Sequence, residues 1–296
     1  MKNTIFTGAG VAIVTPMNED GSINYEEFGK IIDFQIENGT DAIIVCGTTG
    51  ESSTMTDEEH KECIRYCVEK TAKRVPVIAG TGSNSTAEAI HLSTEAEKRG
   101  ADALLLVSPY YNKATQKGLF LHFKAIADSV NIPIILYNIP GRTGVNIQPQ
   151  TIVKLCTEVK NIVGVKEATG DLSQTARLSY LAKGKVDIYC GDDNQTLPFL
   201  SVGAKGVISV LSNIAPEDVH DMCEKFFAGK VDEAREMQIK AIPLIDALFS
   251  EVNPIPVKKA MNYMGWCNDV YRSPLCTMDE TKAEALKEEM EAYGLL

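Results

Sequence analysis

The sequence predicts an α/β protein, a (β/α)8 TIM barrel followed by a small helical C-terminal domain. Short apolar runs alternate with longer segments of helical character, and successive runs start roughly 25 to 30 residues apart. This spacing accommodates a strand, a crossover helix and two loops, which indicates parallel βα units. Eight such units suffice to close a barrel. The predicted strands are 10–14, 42–45, 75–79, 103–107, 132–137, 162–165, 186–190 and 206–210.

The residues between the predicted helices and strands support this arrangement. Gly39, Gly100 and Gly203 each stand shortly before a strand, where glycine commonly ends the preceding helix in the left-handed conformation. Pro76 and Pro133 fall at the start of strands, where a missing N–H removes no ladder hydrogen bond. Among the helix starts, Thr56 followed by Glu59 predicts a capping box.

The C-terminal part of the sequence contains no further strand pattern. After Gly229 the periodicity predicts helices over 231–249, 254–264 and 279–293, and Pro243 is expected to start or kink a helix. We therefore divide the chain into a barrel catalytic domain, 1–229, and a helical C-terminal domain, 230–296. No chemistry is predicted in the second domain.

Composition limits the partners and the compartment. A formal net charge of -11 without a run of basic residues argues against nucleic acid and against an anionic membrane surface. The eight cysteines form no C-x-x-C pattern, which favours reduced thiols. The first residues lack the apolar region of a signal peptide, and the longest apolar runs are too short to span a bilayer. We expect a cytoplasmic protein with small-molecule substrates.

One predicted strand carries the most informative residue. The apolar run 162–165 ends on Lys166, at the carboxyl end of the strand, where barrels hold their catalytic groups. An amine that is partly removed from water there can act as a nucleophile and form an imine with a carbonyl. The alternative is a structural lysine paired with Glu167 or with another carboxylate.

Other strand ends carry polar groups that are open to two interpretations each. The loop 46–52, rich in glycine and hydroxyl groups, could bind an anion or could be a tight turn. Tyr110 and Tyr111 could act in catalysis or pack, and Arg142 could bind a carboxylate or lie on the surface of a turn. The carboxylates of Asp192 and Asp193 suit a metal ion or a helix N-terminus, and we favour the cap because no histidine is near.

Four of these stretches together resemble the signatures of the 4-hydroxy-tetrahydrodipicolinate synthase (dihydrodipicolinate synthase) family, in the same order and spacing. They are Gly47-Thr48-Thr49-Gly50-Glu51, Tyr110-Tyr111-Asn112, the segment 137–144 (YNIPGRTG) and Gly164-Val165-Lys166-Glu167. The resemblance implies a class I aldolase that condenses pyruvate with L-aspartate 4-semialdehyde, on the route to diaminopimelate and lysine. It implies no metal and no organic cofactor.

The resemblance also implies roles for individual residues. Lys166 would form the Schiff base, and Tyr137 would exchange protons with the substrate while the hydroxyl of Thr48 links it to Tyr111. In this family the tyrosine at the position of Tyr111 enters the site of the neighbouring subunit, which implies a homo-oligomer, usually a tetramer built as a dimer of dimers.

The substrate-binding positions follow from the same resemblance. Thr48 and Thr49 would hold the carboxylate of pyruvate, while Gly191 and Ile208 would line its pocket. Arg142 would bind the carboxylate of the semialdehyde.

Two other functions remain as alternatives. A pyruvate-dependent lyase of N-acetylneuraminate or of a 2-keto-3-deoxy sugar acid would share the lysine and the tyrosine but would generally lack Arg142. A catalytically silent, ligand-binding barrel would have to dispense with Lys166, Tyr137 or Thr48, and all three are present.

An effector site for L-lysine is a further expectation from the resemblance. The matching positions are Ser52, Ser53, His60, Asn84, Glu88 and Tyr110. Glu88 would meet the effector's ammonium group, although Ser85 and Glu88 could instead form a capping box. Asp57 departs from the basic or aromatic residue common in lysine-inhibited relatives, so we expect lysine to bind with an affinity that is altered, in either direction, relative to those relatives.

Overall fold

The strands form a closed parallel barrel. A computed structural model describes residues 4–296, and in it the eight strands pair in chain order until β8 closes against β1. The predicted fold class is therefore confirmed. The strands are β1 (Gly8–Ala12), β2 (Ala42–Val45), β3 (Val77–Gly80), β4 (Ala103–Val107), β5 (Ile134–Asn138), β6 (Ile162–Glu167), β7 (Asp187–Cys190) and β8 (Gly206–Ser209).

Helices surround the barrel and continue beyond it. The α-helices are α1 (Tyr25–Glu37), α2 (Asp57–Thr71), α3 (Thr86–Lys98), α4 (Gln116–Ala127), α5 (Pro140–Thr143), α6 (Pro149–Glu158), α7 (Leu172–Ala182), α8 (Thr196–Ser201), α9 (Pro216–Phe227), α10 (Val231–Leu248), α11 (Ile255–Tyr263) and α12 (Glu280–Tyr293). Short 3₁₀ helices occupy Ser52–Thr54, Asp193–Gln195 and Leu211–Asn213. None of the helices over residues 4–296 is long and apolar enough to cross a membrane.

The local signals read from the sequence explain most element boundaries. The capping box is formed, because Thr56 accepts from the N–H of Glu59 while the Glu59 carboxylate accepts from the N–H of Thr56. The glycines at 39, 100 and 203 have φ of 85°, 85° and 98°, the left-handed backbone expected after a helix. Pro76 and Pro133 lie immediately before β3 and β5, so each precedes its strand instead of standing inside it as predicted.

The core has an inner and an outer layer. Side chains that point into the barrel pack in one cluster, while a larger cluster fills the space between strands and helices. In the inner layer, Phe6 stacks on Tyr189 with ring centroids 4.4 Å apart, and the Tyr189 hydroxyl donates to the carbonyl of Phe6 over 2.8 Å. These two rings pack with the other side chains of the inner layer, so the barrel interior is a filled core.

The C-terminal helices occur where the sequence predicts them. Pro243 lies inside α10, so it does not start a helix, which begins twelve residues earlier at Val231. The hydrophobic cluster outside the barrel runs without interruption into α10, α11 and α12, through residues such as Leu244, Val257 and Leu286. The boundary between residues 229 and 230 stays a prediction.

Candidate active site

Lys166 and Tyr137 lie side by side inside the barrel. The register of β5 and β6 pairs the two residues, and the Nζ atom of Lys166 is 4.5 Å from the centroid of the Tyr137 ring. Both are buried, with 5% and 7% of their surfaces exposed. The strand β6 runs two residues further than predicted, so Lys166 is held by strand pairing on both sides.

Glu167 points to the opposite side of β6. Successive strand residues face opposite ways, so Glu167 lies between the barrel and the helices. Its carboxylate accepts from the Nδ2 of Asn138 at 3.1 Å and from the N–H of Thr169 at 3.1 Å, and burial raises its pKa. The alternative in which Lys166 pairs with Glu167 is therefore wrong. Within residues 4–296, Lys166 has no ion-pair partner.

Gly191 lies next to this lysine, and Ile208 lies in the inner layer of the barrel. A Cβ atom at position 191 would lie 2.6 Å from the Cβ of Ala168 and 3.2 Å from the Cε of Lys166. Only glycine therefore fits beside the lysine without movement of its neighbours. Ile208, in β8, is completely buried in the inner layer.

The loop after β2 is held at several points. Thr48 is half-buried, whereas Thr49 is 2% exposed and its hydroxyl accepts from the Nδ2 of Asn253 over 3.0 Å. The hydroxyl of Thr15 donates to the carbonyl of Gly50 over 2.8 Å. These contacts fix a polar loop at the carboxyl end of the barrel, where an anion can meet hydroxyl and N–H groups.

A cavity of about 510 Å³ opens beside this loop. Of the residues predicted for catalysis and substrate binding, Thr48, Tyr137 and Arg142 line the cavity. Its walls also include five of the six predicted effector positions, namely Ser52, Ser53, His60, Glu88 and Tyr110. The other predicted positions, which are Thr49, Asn84, Tyr111, Lys166, Gly191 and Ile208, do not line it.

Arg142 lies in the short helix α5, at the rim of the cavity. Its Nη2 donates a hydrogen bond to the backbone carbonyl of Asn253 over 3.0 Å, and the residue is exposed. The guanidinium is thus tethered at one side, and its remaining donors are free to bind a carboxylate.

Tyr111 projects away from the cavity of its own chain. It is 89% exposed and has a left-handed backbone, with φ of 70°. Its N–H donates to the carbonyl of Thr143 over 3.3 Å, which ties the tyrosine segment to the end of α5. A single chain therefore does not bring the Tyr111 hydroxyl to Thr48 and Tyr137.

The predicted effector positions make contacts that bear on the alternative of simple helix capping. Ser85 caps α3 through the N–H of Glu88, but the Glu88 carboxylate accepts from the hydroxyl of Ser83 over 2.5 Å. The capping box is therefore only half formed, and the carboxylate turns to the cavity. The backbone carbonyl of Asn84 accepts a hydrogen bond from the Nδ2 of Asn112.

His60 presents a neutral ring to the same wall. Its Nε2 donates to the carbonyl of Gly80 over 2.9 Å, and its buried Nδ1 has no partner within residues 4–296. Burial lowers the pKa of this histidine.

Asp57 is neutralised by its neighbours. Its carboxylate forms an ion pair with Lys61 at 2.8 Å and contacts the Nε2 of His91 at 2.9 Å. The hydrogen bond from Lys61 is the main reason why the pKa of Asp57 is lowered. The acidic departure at this position therefore does not present an unpaired negative charge to the cavity.

Asp192 and Asp193 lie at the start of the short 3₁₀ helix Asp193–Gln195, so the predicted position at a helix N-terminus is confirmed, but no side-chain capping bond is formed. The Asp193 carboxylate instead accepts from the N–H groups of Val210 and Leu211, at 2.9 and 3.0 Å. Asp193 thus ties the end of β7 to the end of β8. Burial raises the pKa of both carboxyl groups.

Residues of the C-terminal region also reach the site, contrary to the expectation that this region carries no chemistry. Asn253 contacts Thr49 and Arg142, and the Nζ of Lys258 lies 2.6 Å from an oxygen of Glu51. In the sequence, Glu51 stands out only as the last residue of the motif Gly47-Thr48-Thr49-Gly50-Glu51. Its partner is 207 positions away, so no local pattern could reveal the contact.

The fold and the position of the cavity define the class of (β/α)8-barrel enzymes, which react their substrates at the carboxyl ends of the strands. The family within that class follows from comparison with known proteins. The sequence model of the dihydrodipicolinate synthetase family matches residues 5–293. A 4-hydroxy-tetrahydrodipicolinate synthase of Lachnoclostridium phytofermentans is 58% identical over 292 residues, 99% of each chain.

Solved structures agree with this assignment. A chloride-inhibited dihydrodipicolinate synthase from Acinetobacter baumannii, complexed with pyruvate, is 45% identical with a TM-score of 0.97, over 99% of this chain and 100% of that chain. The enzyme from Cyanidioschyzon merolae with lysine bound is 41% identical, with the same TM-score and coverage. The chain therefore belongs to the dihydrodipicolinate synthetase family, and the enzyme class predicted from its sequence is confirmed.

Proposed function

We propose that this enzyme condenses pyruvate with L-aspartate 4-semialdehyde to 4-hydroxy-tetrahydrodipicolinate, through a Schiff base on Lys166, in the biosynthesis of diaminopimelate and lysine. The observation that carries the proposal is the position of Lys166. It is 5% exposed, has no ion-pair partner within residues 4–296 and lies 4.5 Å from the Tyr137 ring. Lysine is rarely buried for a structural purpose without a paired carboxylate.

The proposed reaction needs only groups that the chain supplies. The Lys166 amine attacks the ketone carbon of pyruvate, and the resulting carbinolamine loses water to give an imine. The imine withdraws electrons, so the methyl group loses a proton and an enamine forms. The enamine carbon attacks the aldehyde carbon of the semialdehyde, whose oxygen takes up a proton. The amine of the semialdehyde then attacks the imine carbon, which closes the ring and releases Lys166.

Proton transfer and substrate binding fall to the surrounding residues. Tyr137 and Thr48 line one cavity, and their hydroxyl groups exchange protons with the intermediates. Thr48 and Thr49 hold the pyruvate carboxylate, while Gly191 and Ile208 shape the space around it. Arg142 binds the carboxylate of the semialdehyde. The crystal complex of the Acinetobacter baumannii relative with pyruvate supports pyruvate as the first substrate.

Reduction with borohydride tests the covalent step. With pyruvate present, we expect borohydride to trap one adduct per chain, located at Lys166 by mass spectrometry. Lys166→Ala should lose both the adduct and turnover, and Lys160→Ala, at a lysine before β6, serves as the control. An adduct on another lysine, or near wild-type turnover in Lys166→Ala, would overturn the mechanism. A parallel assay of N-acetylneuraminate cleavage should show none.

We further propose that Tyr111 completes the proton relay in the site of a second copy of the chain, within a homo-oligomer that is a tetramer built as a dimer of dimers. Its 89% exposure supports this role, as does the fact that it does not line the cavity of its own chain. Mixed oligomers of Lys166→Ala and Tyr111→Phe chains test it. A mixed pair restores one intact site, so activity should exceed that of either parent. Absence of any gain after verified subunit exchange would refute the shared site.

L-Lysine is the proposed effector, bound at Ser52, Ser53, His60, Asn84, Glu88 and Tyr110. Five of these positions line the cavity that also contains Thr48 and Tyr137, and the Cyanidioschyzon merolae relative was solved with lysine bound. Titration calorimetry should detect lysine binding that Glu88→Ala weakens, while Glu95→Ala, later on the same helix, leaves it unchanged. No heat from the parent chain, or equal binding by Glu88→Ala, would leave Glu88 a capping residue.

We also place the enzyme in the cytoplasm. Within residues 4–296 the cysteines form no disulfide, and seven of the eight are buried, which suits a reducing compartment. Fractionation of the source cells tests this placement.

A further inference from the structure

The loop that presents Thr48 and Thr49 has an unusual backbone at each end. Cys46 and Glu51 both have φ of 55°, the left-handed region that favours glycine. An L-residue with a Cβ atom is disfavoured there and persists only where its surroundings hold it in place. A glycine at position 51 would adopt this turn more easily. The presence of glutamate at position 51 therefore indicates that contacts of its side chain compensate for the unfavourable backbone.

The Glu51 side chain is bound entirely by the C-terminal region. One carboxylate oxygen accepts from the Nζ of Lys258 over 2.6 Å, and the other accepts from the N–H of Arg272 over 3.3 Å. The side chains of Lys258 and Glu51 are 0% and 1% exposed. A second hydrogen of the ammonium group goes to the carbonyl of Val270, over 2.6 Å.

A second contact joins the same two parts of the molecule. The Nδ2 of Asn253 donates to the hydroxyl of Thr49, two residues before Glu51 in the loop. The C-terminal region thus binds the loop on both sides of Gly50, while Thr15 of the barrel binds Gly50 itself. Thr49 and Gly50 are thus held directly, and Thr48 immediately precedes them in the loop.

A buried ion pair is a poor source of stability, because removing two charges from water offsets most of their attraction. Its directional bonds can instead define one geometry among several that apolar packing would allow. We propose that Lys258 is a positioning residue for pyruvate: through Glu51 it fixes the loop so that Thr48 and Thr49 meet the pyruvate carboxylate. This inference rests on the proposed function, and it assigns a role in the active site to α11.

The decisive variant is Glu51→Gln/Lys258→Met, which removes both charges and keeps the approximate side-chain sizes. Single substitution of Lys258 leaves a buried carboxylate unpaired and is expected to unfold the protein more readily. In the double variant, the pyruvate concentration for half-maximal borohydride trapping should rise about three- to tenfold, the loss expected for one weakened hydrogen bond. The trapping rate at saturating pyruvate should change less than about twofold, because Lys166 is untouched.

The matched control is the neighbouring ion pair, whose lysine, Lys259, follows Lys258 on the same helix. Lys259 and Asp269 lie 2.7 Å apart within the C-terminal region, and neither contacts the loop. Lys259→Met/Asp269→Asn should leave the pyruvate dependence at the wild-type value.

Each outcome has one meaning. A folded Glu51→Gln/Lys258→Met variant with wild-type pyruvate dependence would overturn the proposal and leave the pair structural. If this double variant does not fold, Glu51→Gln alone, which keeps an oxygen acceptor for Lys258, decides by the same criterion. If the wild-type enzyme traps no pyruvate at Lys166, the proposed function fails rather than the role of Lys258.

Discussion

Adjacent residues of one strand have opposite environments in this protein. Lys166 faces the barrel interior and the Tyr137 ring, whereas Glu167 faces outward and binds Asn138. Because side chains alternate along a strand, the Lys–Glu pair in the sequence cannot be an ion pair in the fold. Within residues 4–296 the lysine has no ion-pair partner, which suits its proposed role as the Schiff-base nucleophile.

Replacing Arg142 should separate the two substrates. Arg142→Ala removes a charge-assisted contact worth about 1.5 to 3 kcal/mol, so kcat/KM for the semialdehyde should fall roughly ten- to hundredfold. Trapping of pyruvate should stay close to wild type, because Lys166 and the loop are unchanged. Steady-state kinetics beside borohydride trapping measures both effects. Equal losses in the two assays would show that Arg142 is structural.

A methyl group at position 191 should harm the lysine directly. Gly191→Ala places a carbon 2.6 Å from Ala168 and 3.2 Å from the Cε of Lys166, so we expect about 1–3 kcal/mol of destabilisation and slower trapping. Gly118→Ala, in α4, meets only ordinary contacts beyond 3.4 Å and should be neutral or slightly stabilising. Urea unfolding and trapping rates check both variants. If Gly191→Ala changes neither the stability nor the trapping rate, the neighbouring side chains can move to make room for the methyl group.

At the scale of elements, hydrogen bonds outside the barrel reinforce the pairing inside it. The register that places Tyr137 opposite Lys166 also places Asn138 opposite Glu167, and the latter two are hydrogen-bonded. The Oδ1 of Asn138 accepts in addition from the N–H of Ile147, over 2.9 Å. A slip of one residue would reverse every side chain, so this outer network maintains the inward orientation of the lysine and the tyrosine.

The start of α2 should respond to acid through Glu59. Two bonds from the Arg272 guanidinium are the main reason why the pKa of Glu59 is lowered to about 2. A carboxyl group whose pKa is lower in the folded than in the unfolded chain stabilises the fold at any pH above its unfolded pKa. For Glu59 this contribution is lost as the pH falls from about 4.5 towards 2. Glu59→Gln should therefore cost about 1 kcal/mol at pH 7, after allowance for solvent screening, and almost nothing near pH 2.

Urea titrations at several pH values provide the measurement. The control is Glu58→Gln, because Glu58 is 84% exposed and pairs only with Lys61. That variant should stay within about 0.5 kcal/mol of wild type at every pH. A Glu59→Gln difference that did not shrink with falling pH would show that the bonds to Arg272 do not depend on the charge.

At the scale of the whole molecule, the helical C-terminal region packs against the end of the barrel formed by the carboxyl ends of the strands. Asn253, Lys258 and Arg272 contact the loop after β2 or the start of α2, all at the carboxyl ends of the strands. Division of the chain at residue 229 follows composition, but the contacts cross that boundary. We infer that the two parts fold as one unit.

Expression of residues 1–229 alone tests this unity. The fragment loses the ammonium partner of the buried Glu51 and the cover over the outer faces of α9 and the loop. We expect no cooperative unfolding transition and no trapping of pyruvate, because an unpaired buried carboxylate costs about 3–5 kcal/mol. Co-expression with 230–296 should restore a part of both properties. A stable, pyruvate-trapping 1–229 fragment would show that the barrel is autonomous.

The sequence by itself determined the features that depend on local order. Strand number, the glycine turns, the Thr56 capping box and the three C-terminal helices follow from patterns within a few residues. Lys166 could be selected because it ends a predicted strand, and parallel strands bring those ends to one face. The roles of Tyr137, Thr48 and Arg142 follow from the resemblance of their motifs to the family.

Only the tertiary structure decided the contacts between distant residues. Side-chain alternation could be foreseen in β6, but the partners of Glu167 depend on the register with β5. The bonds of Asp193 to β8 and of Lys258 to Glu51 join positions 17 and 207 residues apart. Such contacts leave no periodic signal, because they arise when closure of the barrel and docking of the last helices bring unrelated segments together.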